Sequence, residues 1–122
     1  GIHSSPTRRS SDLVDVRPPM DVIAESGLDR IDYFSLDVEG AELDILAALD
    51  LSRLRVELFG IEDNSGRFDA LRAHLAPRGY QMLGSLGTDG FFIRHDTLAG
   101  LAARHGPAHI AAMLAALRPP AV

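Results

Sequence analysis

The clearest hydrophobic pattern in the chain lies in residues 31–49. The apolar residues Ile31, Tyr33, Phe34 and Leu36 form a short run, rich in β-branched and aromatic side chains, which predicts a buried parallel strand over residues 31–37. This strand ends on an acid, Asp37, and a helical spacing of leucine, isoleucine and alanine follows from about residue 40 to residue 49. A carboxylate between the carboxyl end of a buried strand and a helix lies where open α/β sheets bind ligands.

The segments on either side continue the alternation of helix and strand. Pro19 in a first turn and Gly27 after a last turn predict a short helix over residues 19–26. Residues 55–62 form a second apolar run that predicts another strand, and residues 68–75 have the spacing of one helix face.

The chain then changes to a hairpin and a helical tail. Residues 80–86 and 90–94 are predicted strands joined by three residues, which is too short for a parallel crossover, so this pair must be antiparallel. An Ala-rich helical pattern begins at His95 and is interrupted by Gly106-Pro107, and a second amphipathic pattern runs over residues 110–117. We expect these two helices to pack on the sheet or on a partner.

The order strand, helix, strand, helix, strand, strand indicates an α/β fold. We expect residues 14–96 to form one partial domain, opened by a short strand near residues 14–16, and residues 97–122 to form a C-terminal helical extension. Residues 1–13 are polar and without pattern, and we expect them to be a non-native or disordered leader.

Several polar residues around the end of the first strand are candidates for chemistry. Asp37 lies where open α/β sheets bind ligands, so it could act as a general base, and it could alternatively cap the following helix. Glu39 is expected in the first helical turn, where the helix dipole favours an anion. Gly40 serves a tight turn or close backbone approach, and Glu42 is expected on the helix face.

Glu62 ends the second predicted strand as Asp37 ends the first. Two strand-end acids that face one cleft could position a substrate, and the alternative interpretation of Glu62 is a solvated strand terminus. Asp63, Asn64 and Asp89 are loop residues that could line the same rim, although turn chemistry explains them equally well.

A family resemblance rests on the run S-L-D-V-E-G-A-E-L-D-I-L at residues 35–46. This run resembles the signature of the FkbM family of S-adenosylmethionine-dependent methyltransferases. The second strand ending on an acid, the later Gly79-Tyr80 and the T-D-G-F-F run at residues 88–92 follow the same order as in that family. The resemblance implies the C-terminal half of a Rossmann-like (class I) methyltransferase sheet, with parallel strands and a terminal antiparallel hairpin.

The same resemblance implies an activity and a site. The implied activity is methyl transfer from S-adenosylmethionine to a hydroxyl of a small molecule or sugar. The implied roles are catalysis for Asp37 and Glu39, cofactor contact for Asp37, Val38 and Gly40, and substrate contact for Glu62, Asn64 and Asp89.

One part of such a site is missing from the sequence. A glycine-rich turn lets this class of cofactor approach the backbone, but only Gly1 and Gly27 precede Asp37. An acid after an earlier strand, which would bond the cofactor ribose, is missing as well. We therefore expect a fragment that binds S-adenosylmethionine poorly and is inactive by itself.

Composition narrows the possible partners. A formal net charge of −5 argues against non-specific nucleic-acid binding, and the lack of cysteine excludes disulfides and thiolate metal sites. No apolar run reaches the roughly 18 residues of a membrane span. The expected partner is a small-molecule acceptor, without nucleic acid or membrane, and a cytoplasmic location is expected.

Two other interpretations stay open. The first is a non-catalytic relic of the same fold that only mediates interactions. The second is a receiver-like signalling domain, since a strand ending in L-D-V precedes a glycine, but that class needs a later lysine and all 12 cationic side chains here are arginine. The i, i+4 pair His105 and His109 is split by Gly106-Pro107, so no metal site is expected.

Overall fold

A computed structural model describes residues 18–121. The expected leader and the short strand near residues 14–16 lie outside the described residues. The described elements are α1 (Pro19–Ser26), β1 (Arg30–Leu36), α2 (Glu42–Ala48), β2 (Arg55–Glu62), α3 (Asp69–Leu75), a 3₁₀ turn (Ala76–Arg78), β3 (Tyr80–Leu86), β4 (Asp89–Arg94), α4 (His95–His105) and α5 (Pro107–Leu114).

The four strands form one mixed sheet in the order β1-β2-β4-β3. β1 and β2 are parallel, with Leu36 opposite Ile61, whereas β4 is antiparallel to both β2 and β3. The predicted α/β class, the parallel pair and the antiparallel hairpin are therefore confirmed. The parallel pairing brings the carboxyl ends of β1 and β2 to the same edge of the sheet.

β1 was expected to be a buried strand, and only one of its faces is buried. Within the described residues β1 pairs with β2 alone, and towards its carboxyl end its side chains alternate between the core and solvent, because successive residues point to opposite faces of the sheet. Phe34 and Leu36 are 7% and 1% exposed, whereas Tyr33 is 49% exposed. The apolar side chains of this strand indicated burial, but Asp32 and Ser35 interrupt the run, and burial on both faces also requires a packed layer on each face.

The core lies between one face of the sheet and the helices α2 and α3. The Phe59 ring centroid is 5.7 Å from that of Phe34 and 5.3 Å from that of Tyr80. Leu46 of α2 and Leu75 of α3 are fully buried in the same cluster. Each of these large side chains contributes roughly 1.5–3 kcal/mol through burial, so this layer fixes how the two helices lie on the strands.

The loop before α3 is held by an aspartate. Asp63 accepts backbone N–H bonds from Ser65 (3.0 Å) and Phe68 (2.9 Å), and it also accepts the Ser65 hydroxyl. Phe68 precedes the helix in a left-handed conformation (φ 61°) with its ring buried. The Asp63 carboxylate thus organises this turn, and the residue also lines the cleft beside Glu62.

The helical tail is confirmed, with its break at Gly106, but none of the residues of α4 or α5 is fully buried. Thr97 of α4 donates its hydroxyl to Glu57, a buried acid of β2 that also pairs with Arg55. The predicted second helix ends at Leu114 rather than continuing to Leu117.

Candidate functional site

The site is built where the two parallel strands end. Asp37 directly follows β1 and Glu62 is the last residue of β2. Since Leu36 lies opposite Ile61, the next residue on each chain meets the other across the edge of the sheet. The side chains of Asp37 and Glu62 share a hydrogen bond. Two carboxyl groups can bond in this way only when one of them holds a proton.

This arrangement changes the protonation of Glu62. The hydrogen bond with Asp37, partial desolvation and repulsion by Asp37, Asp89 and Glu42 together raise the pKa of Glu62 to about 7. Asp89 belongs to the cluster because the antiparallel register of β2 and β4 places it opposite Glu62. The edge of the sheet therefore carries an acid that gains or loses its proton near neutral pH.

The loop between β1 and α2 is organised by Glu42. Its carboxylate accepts the backbone N–H of Val38 at 2.8 Å and that of Gly40 at 3.0 Å. Glu39 (φ 52°) and Gly40 (φ 100°) both adopt left-handed conformations, which turn the chain sharply after the strand. This conformation is strained for a glutamate and readily accessible to glycine.

Three expectations about this loop are wrong. Glu39 was expected in the first helical turn, but it lies in the turn before α2, which begins at Glu42. Glu42 was expected on the helix face, but it is 7% exposed and faces the loop. The N-cap of α2 is Ala41, without a side-chain bond, so Asp37 is not the cap that the alternative interpretation required. A glutamate in a first helical turn that reaches back to preceding amides resembles the carboxylate half of a capping box. This signal was available in the sequence.

A cleft of about 220 Å³ opens beside the acids, between the β1–α2 loop and α3. Asn64 lines it together with Glu62 and Gly40, and open space surrounds the Gly40 Cα. The structure therefore brings Asp37, Glu62 and Asp89 into one cluster and places Asn64 and Gly40 at the adjoining cleft. Glu39 is exposed in the loop, and the Val38 amide is already bonded to Glu42.

The described residues contain no group of three or more His, Cys, Asp or Glu side chains that could hold a metal ion. The rings of His105 and His109 lie 5.9 Å apart across the helix break. No helix within residues 18–121 has the length and apolar character needed to cross a membrane.

The fold and the site define an α/β protein with an acidic site at the carboxyl ends of two parallel strands. The chain belongs to the methyltransferase FkbM domain family, whose model matches residues 3–82. It is also 38% identical over 69 residues to the AMB antimetabolite synthetase AmbE of Pseudomonas aeruginosa. This alignment covers 50% of the chain and 3% of that relative. No solved structure matches the chain.

Proposed function

We propose that this chain is the C-terminal part of an S-adenosylmethionine-dependent methyltransferase that methylates a hydroxyl group of a small molecule or sugar. The observation that carries the proposal is the Asp37–Glu62 pair at the ends of two parallel strands, with the pKa of Glu62 raised to about 7. Methylation of a hydroxyl releases a proton, and a base is most effective when its pKa is near the working pH.

The acids at the strand ends complement one part of S-adenosylmethionine, its positive sulfonium centre. The methyl donor carries a positive sulfonium centre, and the cluster of Asp37, Glu62 and Asp89 supplies negative charge beside the cleft. The open space at Gly40 leaves room for a bulky group to approach the backbone. The Val38 and Gly40 amides, however, are already bonded to Glu42, so any contact there uses shape rather than those donors.

In this proposal Asp37 and Glu62 have different roles in proton transfer. S-adenosylmethionine supplies the methyl group as an electrophile when it is bound. Asp37 accepts a hydrogen bond from the acceptor hydroxyl and holds its oxygen toward that methyl group. The proton that the hydroxyl loses on methylation would pass to the carboxyl pair. Glu62 shares this proton with Asp37 and releases it to water.

The proposal includes a longer parent protein, which supplies the parts of the site that this chain lacks. The four-stranded sheet would be the second half of a Rossmann-like sheet, and the glycine-rich turn would be supplied by other residues of the parent. The match to a short part of a much longer synthetase supports such an embedding, and the word antimetabolite in the name of that relative supports a small-molecule acceptor.

The test is turnover of the parent protein with Asp37→Asn, at matched folding. We expect a loss of roughly 10²–10⁴-fold in kcat, the usual contribution of a general base. Asp44→Asn is the control, because Asp44 is an exposed acid on α2 away from the pair. Unchanged turnover in the Asp37 variant would remove the catalytic assignment and favour a merely structural pair. A parent without any methyl transfer would favour the non-catalytic relic.

A further inference from the structure

A second cavity, of about 570 Å³, lies beyond the candidate site, beside the turn between β3 and β4. Its walls come from the loop before α3, the end of β3 and the C-terminal segment of the chain. That loop follows Glu62 directly, and the β3–β4 turn leads into Asp89, so the cavity and the carboxyl cluster share one edge of the sheet.

The C-terminal wall of this cavity is held in place by specific contacts. Arg118 and Ser85 exchange two backbone hydrogen bonds of 2.9 Å, which add a short antiparallel bridge to the outer side of β3. The Arg72 guanidinium donates to the Ala121 carbonyl at 2.7 Å. Gly84 (φ 153°) allows the close approach, because a Cβ there would come within 2.6 Å of the Arg118 carbonyl oxygen.

The charged groups that line the cavity favour an anion. Arg67 and Arg118 are the two arginines among the lining residues, and the one acidic residue among them, Asp69, pairs with Arg67 at 3.1 Å. Within residues 18–121 no carboxylate forms an ion pair with Arg118. Arg118, whose backbone the bridge to Ser85 holds in place, is thus a cation without an ion pair among the described residues, in a chain whose formal net charge is −5.

We propose that this cavity binds an oxyanion, a carboxylate or phosphate, of the acceptor molecule, with Arg118 as the principal contact and Arg67 as the second. The planar guanidinium donates two parallel hydrogen bonds to such a group, which fixes direction as well as position. This inference rests on the proposed function for the identity of the ligand as the methyl acceptor. An anion held here would orient the acceptor toward the strand-end acids, which repel the anion and accept hydrogen bonds from a hydroxyl.

Direct binding to the 122-residue chain tests the cavity without any methyl transfer. Inorganic phosphate and acetate are titrated separately at constant ionic strength, and amide chemical shifts of Ser85 and Gly87 are followed. We expect saturation with a dissociation constant on the order of 1 mM for at least one anion. Tighter phosphate binding would assign a phosphate-bearing acceptor, and tighter acetate binding a carboxylate-bearing acceptor. No saturation with either anion would overturn the proposal.

A pair of variants separates a built site from general charge attraction. Arg118→Gln removes an exposed side chain while the backbone bridge to Ser85 stays, and we expect binding to weaken by about tenfold or more. Arg104→Gln is the matched control, since Arg104 is an exposed arginine of α4 that does not line the cavity. Equal weakening by both variants would show non-specific attraction and overturn the proposal.

Methyl transfer by the parent protein and anion binding by the chain are measured separately, so each proposal can fail without the other. A parent protein that transfers no methyl group, while the chain still binds the anion through Arg118, would remove the proposed function alone. In an active parent, Arg118→Gln should raise KM for an anionic acceptor and leave kcat nearly unchanged. A change in kcat alone would contradict a binding role for Arg118.

Discussion

The Tyr33 side chain lies directly against the Cα of Gly60, on the neighbouring strand, so that a methyl group at Gly60 would overlap the Tyr33 hydroxyl. Gly60 is buried while Tyr33 is 49% exposed, so the tyrosine ring covers the glycine from the solvent side. This contact joins the two strands whose ends carry the candidate site, and it explains why a strand centre holds a glycine.

We therefore expect Gly60→Ala to lower the free energy of unfolding by about 1–3 kcal/mol, the usual cost of overpacking. Tyr33→Ala in the same chain should recover part of this loss, because it removes the overlapping group. Urea denaturation of the two single variants and the double variant measures the coupling. Gly100→Ala, at a helical position with open space, should cost nothing or stabilise. An unchanged stability in Gly60→Ala would show that the tyrosine simply rotates away.

The Glu42 carboxylate should matter for stability as well as for the shape of the site. Glu42→Ala leaves the Val38 and Gly40 amides without their acceptor, and we expect a loss of about 1–3 kcal/mol in the free energy of unfolding. Asp44→Ala, an exposed position in the same helix, should change stability by less than about 0.5 kcal/mol. Equal effects in the two variants would mean that helix propensity, rather than the loop bonds, controls the outcome.

The raised pKa of Glu62 predicts a pH dependence of stability. The folded state holds this proton more tightly than the unfolded chain, whose glutamate has a pKa of 4.5, against about 7 when folded. The contribution is therefore fully present below pH 4.5 and is lost as the pH rises toward and through 7. Glu62→Gln should remove this decline.

A second group, His74, also makes the stability depend on pH, but in the opposite direction. Burial and the nearby Arg78 lower its pKa below 6.5, so its contribution to stability is lost as the pH falls below that value. The informative quantity is thus the difference between wild type and Glu62→Gln at each pH, measured by chemical denaturation. A difference that is constant between pH 4.5 and 7 would contradict the shared hydrogen bond with Asp37.

The isolated chain should not bind the cofactor tightly. Calorimetry with S-adenosylmethionine at micromolar concentration is expected to show no saturable heat, because no glycine-rich turn precedes Asp37 in the sequence. Binding at that concentration by this chain alone would mean that the cofactor is held by residues other than those the family resemblance implies.

Much of the local structure followed from the sequence by itself. The bounds of α1, with proline at its start and Gly27 after its end, match the prediction, since proline and glycine restrict backbone angles locally. The join between the last two strands, predicted as three residues and two residues long in the structure, required an antiparallel hairpin, because a parallel crossover needs a longer connection. Because β1 and β2 were expected to be parallel, Asp37 and Glu62 were expected at the same edge of the sheet, where both strands end.

The tertiary structure alone decided the rest. The exposure of Tyr33, the inward direction of Glu42 and the raised pKa of Glu62 all depend on neighbours supplied by other elements. The bridge between Ser85 and Arg118 likewise joins residues that no local pattern relates. Periodicity reports which side of an element is apolar, but burial and electrostatic shifts vary with distances across the fold, and those distances exist only once the strands and helices have packed.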